Sequence, residues 1–260
     1  MKLIVLNDNY ASSICGGEHG LSYYIEFGNK VILFDAGPSD IILRNAEKLY
    51  VDLNTIQDIV LSHGHWDHGD GLAYIPDGKR LIVHPNAFVQ RFKRVKKKYI
   101  GLKLSESELE AKFSIVRTRN FFEIAPQCWF LGEIERVVDF EPFTENYCLA
   151  DDTPDTIPDD SAMVCNTPKG LVIVTGCSHS GICNIVLQTQ KMIPNRPICA
   201  IIGGFHLKKV DQRVEKTIEF LKNAKVQKLY PSHCTAPEVI SYLGRFFDTA
   251  WVRSGNIFRW

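Results

Sequence analysis

Apolar residues fall in short runs separated by turn residues, and the runs come in pairs. Residues 2–6, 21–27 and 31–34 read as strands, the last two joined by Gly28-Asn29-Lys30, which is hairpin turn chemistry. Asp35-Ala36-Gly37-Pro38 ends the third strand. Ser39 or Asp40 then caps a helix with Ile42, Ala46 and Leu49 on one face. Residues 59–61 form a short buried strand that stops at Ser62; a polar, His-rich loop follows, and a helix begins near 69–73. The second half repeats the scheme. Strands at 163–165 and 171–174 pair through Pro168-Lys169-Gly170, and Gly181 opens a helix with Ile182, Ile185, Val186 and Thr189 on one face. A strand at 198–202, a helix marked by Val214, Ile218 and Leu221, a strand at 226–230, a helix opened by Pro237 and a strand at 256–260 complete the chain. Strand pairs followed by helices, twice over, predict an α/β fold of two sheets packed together with helices outside.

The middle reads differently. Residues 81–83 form a strand and 85–94 a helix with Phe88 and Phe92 four apart. Ser105 with Glu108 makes a capping box that opens a helix to about residue 112. Strand-like pieces surround Ile115, Trp129 and Val137. We expect one domain over residues 1–260, carrying a small inserted α+β lobe at about 85–145.

Composition narrows the function classes. The 260 residues are 45% hydrophobic and 23% charged, enough for a sizeable core and too apolar for disorder. Lys+Arg and Asp+Glu both number 30, which argues against a nucleic-acid partner, since such binding needs surplus cation. No apolar run reaches the ~20 residues that span a bilayer, and the start turns polar after six residues, unlike a secretory signal. No membrane association is expected. The eight cysteines form no CxxC pair; we read them as reduced thiols of a cytoplasmic protein. Nothing in the sequence sets an oligomeric state.

The chemistry concentrates in His63-Gly64-His65-Trp66-Asp67-His68, directly after the strand at 59–61. Imidazole nitrogen and carboxylate oxygen are the usual ligands of zinc and related divalent ions. Residues two apart on an extended segment face the same way, so His63 and His65 can grip one ion. Asp67 and His68, past the turn, can grip a second, and two ions ~3.5–4 Å apart can clamp both ends of a displacement.

This HxHxDH pattern resembles that of the metallo-β-lactamase fold superfamily, and Val31–Gly37 resembles the superfamily's first motif, a strand ending in Asp-x-Gly. The resemblance implies a four-layer αββα sandwich, two divalent ions (zinc, or alternatively manganese or iron), and a role for Asp35 in orienting a ligand histidine. Thr175-Gly176-Cys177-Ser178-His179 stands where many relatives carry Thr-Gly-Asp with a bridging aspartate. His179 is the preferred ligand, because imidazole needs no deprotonation near neutral pH, and Cys177 is the alternative. Pro231-Ser232-His233 resembles the last motif, making His233 a further ligand.

Further segments resemble a subgroup named after a dihydropterin-methyl ribofuranosylaminobenzene phosphate synthase: Glu18–Ser22, Asp159–Met163, Thr175–Ile182, Gly203–Leu207 and Ser232–Thr235. In the reaction so named, an amine displaces diphosphate from a pterin methyl group. Asp67, His19 and His206 become candidates for catalytic roles. His19 is a rim proton shuttle or a solvated loop residue, and His206 a substrate contact or a satisfied polar residue. Asp160, at the end of an Asp-rich loop, is the candidate to support the site. The basic cluster at 91–98 reads as a solvated helix face rather than a phosphate site. Phe121, Phe122 and Trp129 read as lobe core.

Three functions follow. The first is a dinuclear metalloenzyme acting on a small phosphorylated or heterocyclic substrate, by transfer to an amine or by hydrolysis of a phosphoester, thioester or lactone. The second is a metal-containing binding protein without turnover. The third, a diiron redox enzyme, ranks last, because that branch carries Glu where this chain has His65.

Overall fold

A computed structural model describes residues 1–141 and 146–260. In chain order the first half contains β1 (Lys2–Asn7), β2 (Ser22–Phe27), β3 (Lys30–Phe34), α1 (Ile41–Lys48), β4 (Asp58–Leu61), α2 (Trp66–Gly69) and β5 (Arg80–Val83). The middle contributes β6 (Arg91–Lys93), β7 (Lys98–Tyr99), α3 (Glu106–Lys112), β8 (Ser114–Arg117), β9 (Phe122–Ala125), β10 (Cys128–Phe130) and β11 (Tyr147–Leu149). The second half adds β12 (Ala162–Thr167), β13 (Gly170–Thr175), α4 (Ile182–Met192), β14 (Ile198–Gly204), α5 (Gln212–Asn223), β15 (Lys228–Ser232), α6 (Pro237–Leu243), β16 (Asp248–Thr249) and β17 (Ile257–Arg259).

Two large sheets form, ordered β17-β1-β2-β3-β4-β5-β8 and β16-β15-β14-β13-β12-β10-β9. Their facing sides share one core, in which Tyr23, Phe34 and Val60 meet Phe130, Met163 and Val174. Strand β3 shows the period-2 logic: Ile32 and Phe34 enter this core while Leu33 points outward, where Ile42 and Ala46 of α1 cover it. Both faces are buried, so the strand reads as an unbroken apolar run. On the other outer face, Ile185, Val214 and Val239 of α4, α5 and α6 cover β13 and β14. The architecture is the expected α/β four-layer αββα sandwich. No helix among the described residues is long and apolar enough to cross a membrane. The first and last residues meet, with Met1 N donating to the Trp260 carbonyl at 3.1 Å and Trp260 N to the Met1 carbonyl at 3.0 Å.

The middle of the chain corrects several expectations. Residues 85–94 are not a helix: Pro85–Phe88 is one 3₁₀ turn, and Arg91–Lys93 is a strand. The guanidinium of Arg91 explains the change. It is fully buried, with Nη1 donating to Asp159 Oδ2 at 3.0 Å and Nε 3.4 Å from Asp155. That tertiary anchor overrides the local i, i+4 spacing of the phenylalanines. Arg91 therefore leaves the solvated face foreseen for the cluster, whereas Lys93, Arg94 and Lys96 to Lys98 are exposed. The helix foreseen near 69–73 starts earlier, at Trp66, and continues as a 3₁₀ turn over Asp70–Tyr74. No strand forms around the exposed Val137.

The span 85–145 stands only partly apart from the sandwich. Strand β8 extends the first sheet and β9 and β10 extend the second, while β6 and β7 join β11 in a separate three-stranded sheet. Phe121 and Trp129 stack at 5.8 Å, and Phe121 and Phe122 pack against the two cores of the second sheet. Residues 142–145, the end of that span, lie outside the described residues.

Candidate metal centre

Most of the candidate residues follow strand ends; His19 and Asp160 instead precede β2 and β12. Strands β3, β4 and β5 run parallel, as do β13, β14 and β15. Asp35 follows β3, the HxHxDH loop follows β4, Cys177 and His179 follow β13, His206 follows β14 and His233 follows β15. The loops of the two sheets touch: a Cβ on Gly176 would lie 2.1 Å from Ser62 Oγ, so only glycine fits there. Asp35, Ser178, His206 and His233 all hold φ between 47° and 55°, a sparsely populated conformation for non-glycine residues that concentrates at functional sites.

The chain fixes the rings of His68 and His233 from behind. Asp35 accepts from Ser62 N at 2.7 Å and from His68 Nδ1 at 2.7 Å, which turns His68 Nε2 inward. Asn9 Oδ1 accepts from His233 Nδ1 at 2.9 Å and so presents His233 Nε2. The two Nε2 atoms lie 3.2 Å apart, and Cys177 Sγ is 3.3 Å from that of His68. His63 Nε2 and His65 Nδ1 are 2.9 Å apart. Asp67 Oδ2 lies 3.5 Å from His233 Nε2 and 3.2 Å from His19 Nε2.

Among the described residues, four groups could each hold an ion, with their ligand atoms within 4.8 Å of one another: His63, His65 and His179; His63, His68 and Cys177; Cys177, His233 and Cys234; and His19, Asp67 and His233. Cys177 and His179 fall in different groups, each together with His63. Buried Nε2 of His65 and both ring nitrogens of His179 have no hydrogen-bond partner among the described residues. Leaving buried polar atoms unpaired is costly, and a shared cation satisfies them, so the donor set fits divalent metal.

Electrostatics agree with that fit. Burial, reinforced by neighbouring cationic groups, holds His63, His65, His179 and His233 well below the usual imidazole range, in the neutral form that ligates metal. Burial also opposes charge on His68, yet Asp35 and Asp67 push it up to about 9. Burial would raise Asp67, but His68 and the hydrogen bond from His19 hold it well below the usual carboxylate range. Burial keeps the Cys177 thiol far above its usual value, and a cation is what would make it a thiolate.

The remaining candidates surround this cluster. The ring of His206 lies 4.6 Å from that of His179, and burial pushes it down to about 3. His19 stands at the rim, its side chain 57% exposed. Asp160 does not reach the cluster; it accepts from the backbone N–H of Ser180 at 2.9 Å and from the Ser180 hydroxyl, so it braces the His179 loop. Sequence reasoning missed Asn9, Asp159, whose Oδ2 accepts from Gly64 N at 2.7 Å, and Tyr147, whose ring lies 5.4 Å from His65. Of these only Asp159 lay within a segment that the sequence had singled out, Asp159–Met163, and it was given no role there. A cleft of about 420 Å³ opens over the centre, walled by Trp66, Tyr147, Lys93, Lys98 and Lys208.

A family model of the metallo-β-lactamase superfamily matches residues 15–127. The 7,8-dihydropterin-6-methyl-4-(β-D-ribofuranosyl)-aminobenzene-5′-phosphate synthase of Methanocaldococcus jannaschii is 33% identical, over 90% of this chain and 87% of that one. The chain belongs to the metallo-β-lactamase superfamily. An uncharacterized protein of the same organism is 32% identical over 97% of this chain and 98% of its own. The crystal structure of a metal-dependent hydrolase of the β-lactamase superfamily superposes with a TM-score of 0.88 at 29% identity, covering 100% of this chain and 98% of that one. In this chain the candidate donors of the HxHxDH segment and of residues 177–179 and 233 lie just beyond strand ends.

Proposed function

We propose that the protein is a dinuclear metalloenzyme acting on a small phosphorylated or heterocyclic molecule. His63, His65 and His179 would hold one divalent ion, Asp67, His68 and His233 the other, and Cys177, 3.3 Å from His68 Nε2, would be a further donor. Zinc suits this mix of imidazole, carboxylate and thiolate; manganese or iron is the alternative. Such ions supply Lewis acidity and neutralise charge on a departing group. The chain's own residues do the rest. Asp35 and Asn9 fix the tautomers of His68 and His233. His19, half in solvent beside Asp67, can carry a proton between the carboxylate and water. His206, neutral and facing the cleft, contacts substrate.

The observation that carries this reading is the set of unpartnered ring nitrogens on His65 and His179, buried beside His63. Likeness to the named synthase supports displacement of diphosphate by an amine. Likeness to the metal-dependent hydrolase supports hydrolysis as a second reading. Eight buried free thiols suit a reducing, cytoplasmic setting.

Elemental analysis of purified protein should find about two divalent ions per chain, the number expected of a paired site. His63→Ala and His179→Ala should lower metal content and turnover together. A panel of pterin diphosphates, phosphodiesters, thioesters and lactones separates transfer from hydrolysis, and tight binding with no turnover would favour a binding protein. Absence of metal even after reconstitution would overturn the reading.

A further inference from the structure

The small sheet carries a feature that the metal centre does not explain. In its register Tyr147 pairs with Lys93, and Lys93 pairs with Lys98. Directly opposed residues of antiparallel strands project to the same face, so Tyr147, Lys93 and Lys98 form one rung across β11, β6 and β7. All three line the cleft over the histidines. The rung starts at the metal centre, where the Tyr147 ring lies 5.4 Å from His65 and 5.6 Å from His179. It then steps outward by roughly 4.8 Å per strand, first to Lys93 and then to Lys98.

Like charges directly opposite one another on a sheet are destabilising. Lys97, in the turn between the two strands, is neutralised by Asp152 and by the Leu149 and Ala150 carbonyls. Lys93 and Lys98 have no carboxylate partner among the described residues. An edge-strand lysine commonly guards against aggregation, which would account for Lys98. Lys93, however, is on the middle strand. Lys208 lines the same cleft, its ammonium held by the Cys234 carbonyl at 2.9 Å rather than by an acid. Three lysines thus line one cleft, and among the described residues none of them is paired with a carboxylate. A carboxylate would offset one of them, whereas a phosphate carries about −1.5 to −2 and a diphosphate more. Lysine binds such groups as a point charge.

We propose that Lys93, Lys98 and Lys208 form an anion subsite that holds the phosphate or diphosphate of a small substrate while its reacting end lies against Tyr147 and the histidines. This rests on the metalloenzyme reading for the reacting end alone; the anion grip belongs to the rung itself. The pair of lysines on the small sheet, rather than the metals, then sets selectivity for phosphorylated molecules.

The test is calorimetric titration of the metal-loaded protein with inorganic pyrophosphate at low and high salt. The Lys93→Ala/Lys98→Ala double variant should keep its metal and bind pyrophosphate about tenfold more weakly or worse, with a shallower salt dependence. The Lys93→Arg/Lys98→Arg variant should restore binding. The same lysine dependence should persist in metal-poor His63→Ala protein, so loss of the metal reading would leave the subsite standing. Unchanged affinity in the alanine variant with metal intact would overturn the subsite alone. So would a single-stranded RNA oligonucleotide that bound more tightly than pyrophosphate with the same lysine dependence.

Discussion

Asp159 serves two masters: one carboxylate oxygen accepts from Gly64 N inside the metal motif, and the same carboxylate pairs with the buried Arg91. Arg91 thereby ties the small sheet to the loop that bears His63 and His65. Removing the guanidinium strands Asp155 and Asp159 in the interior, and breaking a buried pair from one side typically costs about 3–5 kcal/mol. Arg91→Ala should show a loss of that size in urea denaturation; a change below about 1 kcal/mol, the scale of an exposed pair, would refute the buried-anchor account. The six candidate ligands, four in the HxHxDH segment and two at later strand ends, were legible in the sequence because each sits in a short local pattern. Arg91 was hidden among lysines, and nothing in a run of like charges says which member turns inward. Asn9 and Tyr147 were hidden for a related reason: each meets the site only through long-range packing.

At the scale of elements, hairpins and caps were the most legible. The turn between β2 and β3, the pairing of β12 with β13 and the Ser105–Glu108 capping box all formed where turn and cap residues placed them. The segment after Pro85 failed because strand pairing with β11, 54 to 58 residues away in the register, outweighed a local apolar spacing. The metal loop shows how tightly elements constrain one another. A Cβ on Gly64 would sit 1.8 Å from the Ala87 carbonyl oxygen in the turn before β6. Backbone cannot yield as a side-chain tip can, so Gly64→Ala must displace the loop. We expect a destabilisation of about 1–3 kcal/mol together with lower metal content, read by denaturation and elemental analysis on the same sample. Full metal content in a variant of normal stability would show that the loop adjusts freely.

Over the whole molecule, gathering so many imidazoles makes stability depend on pH. In metal-free protein, burial holds His63, His65, His179 and His233 neutral, with pKa values well depressed. Unfolded imidazoles take up protons below about 6.5 and these folded ones do not. The stability they contribute is therefore full above that pH and is lost as pH falls beneath it. His68 runs the other way: raised to about 9, its contribution is full below about 6.5 and fades as pH rises through 9. His206 is depressed as well, so the lowered imidazoles outnumber His68, and the thermal midpoint of metal-free protein should drop on going from about pH 7 to about pH 5, and drop more gently towards pH 9. Bound metal should raise the midpoint throughout, as any ligand of the native state does. A flat profile between pH 5 and pH 7 would mean that these rings are not held neutral.

The junction of Met1 with Trp260 has a different consequence. Strand β1 runs antiparallel to β2 and β2 antiparallel to β3, so the Asn7 end of β1 faces the rim while its first residue lies at the far end of the sheet. Both termini therefore sit together, as far from the histidines as that sheet allows. A short covalent bridge between them would close the polypeptide into a circle without crossing the cleft, and new ends could be opened at the exposed Gly28-Asn29 turn. Should such a permuted chain fold, the linear order in which the candidate site residues are spelled out would be dispensable to the way they assemble.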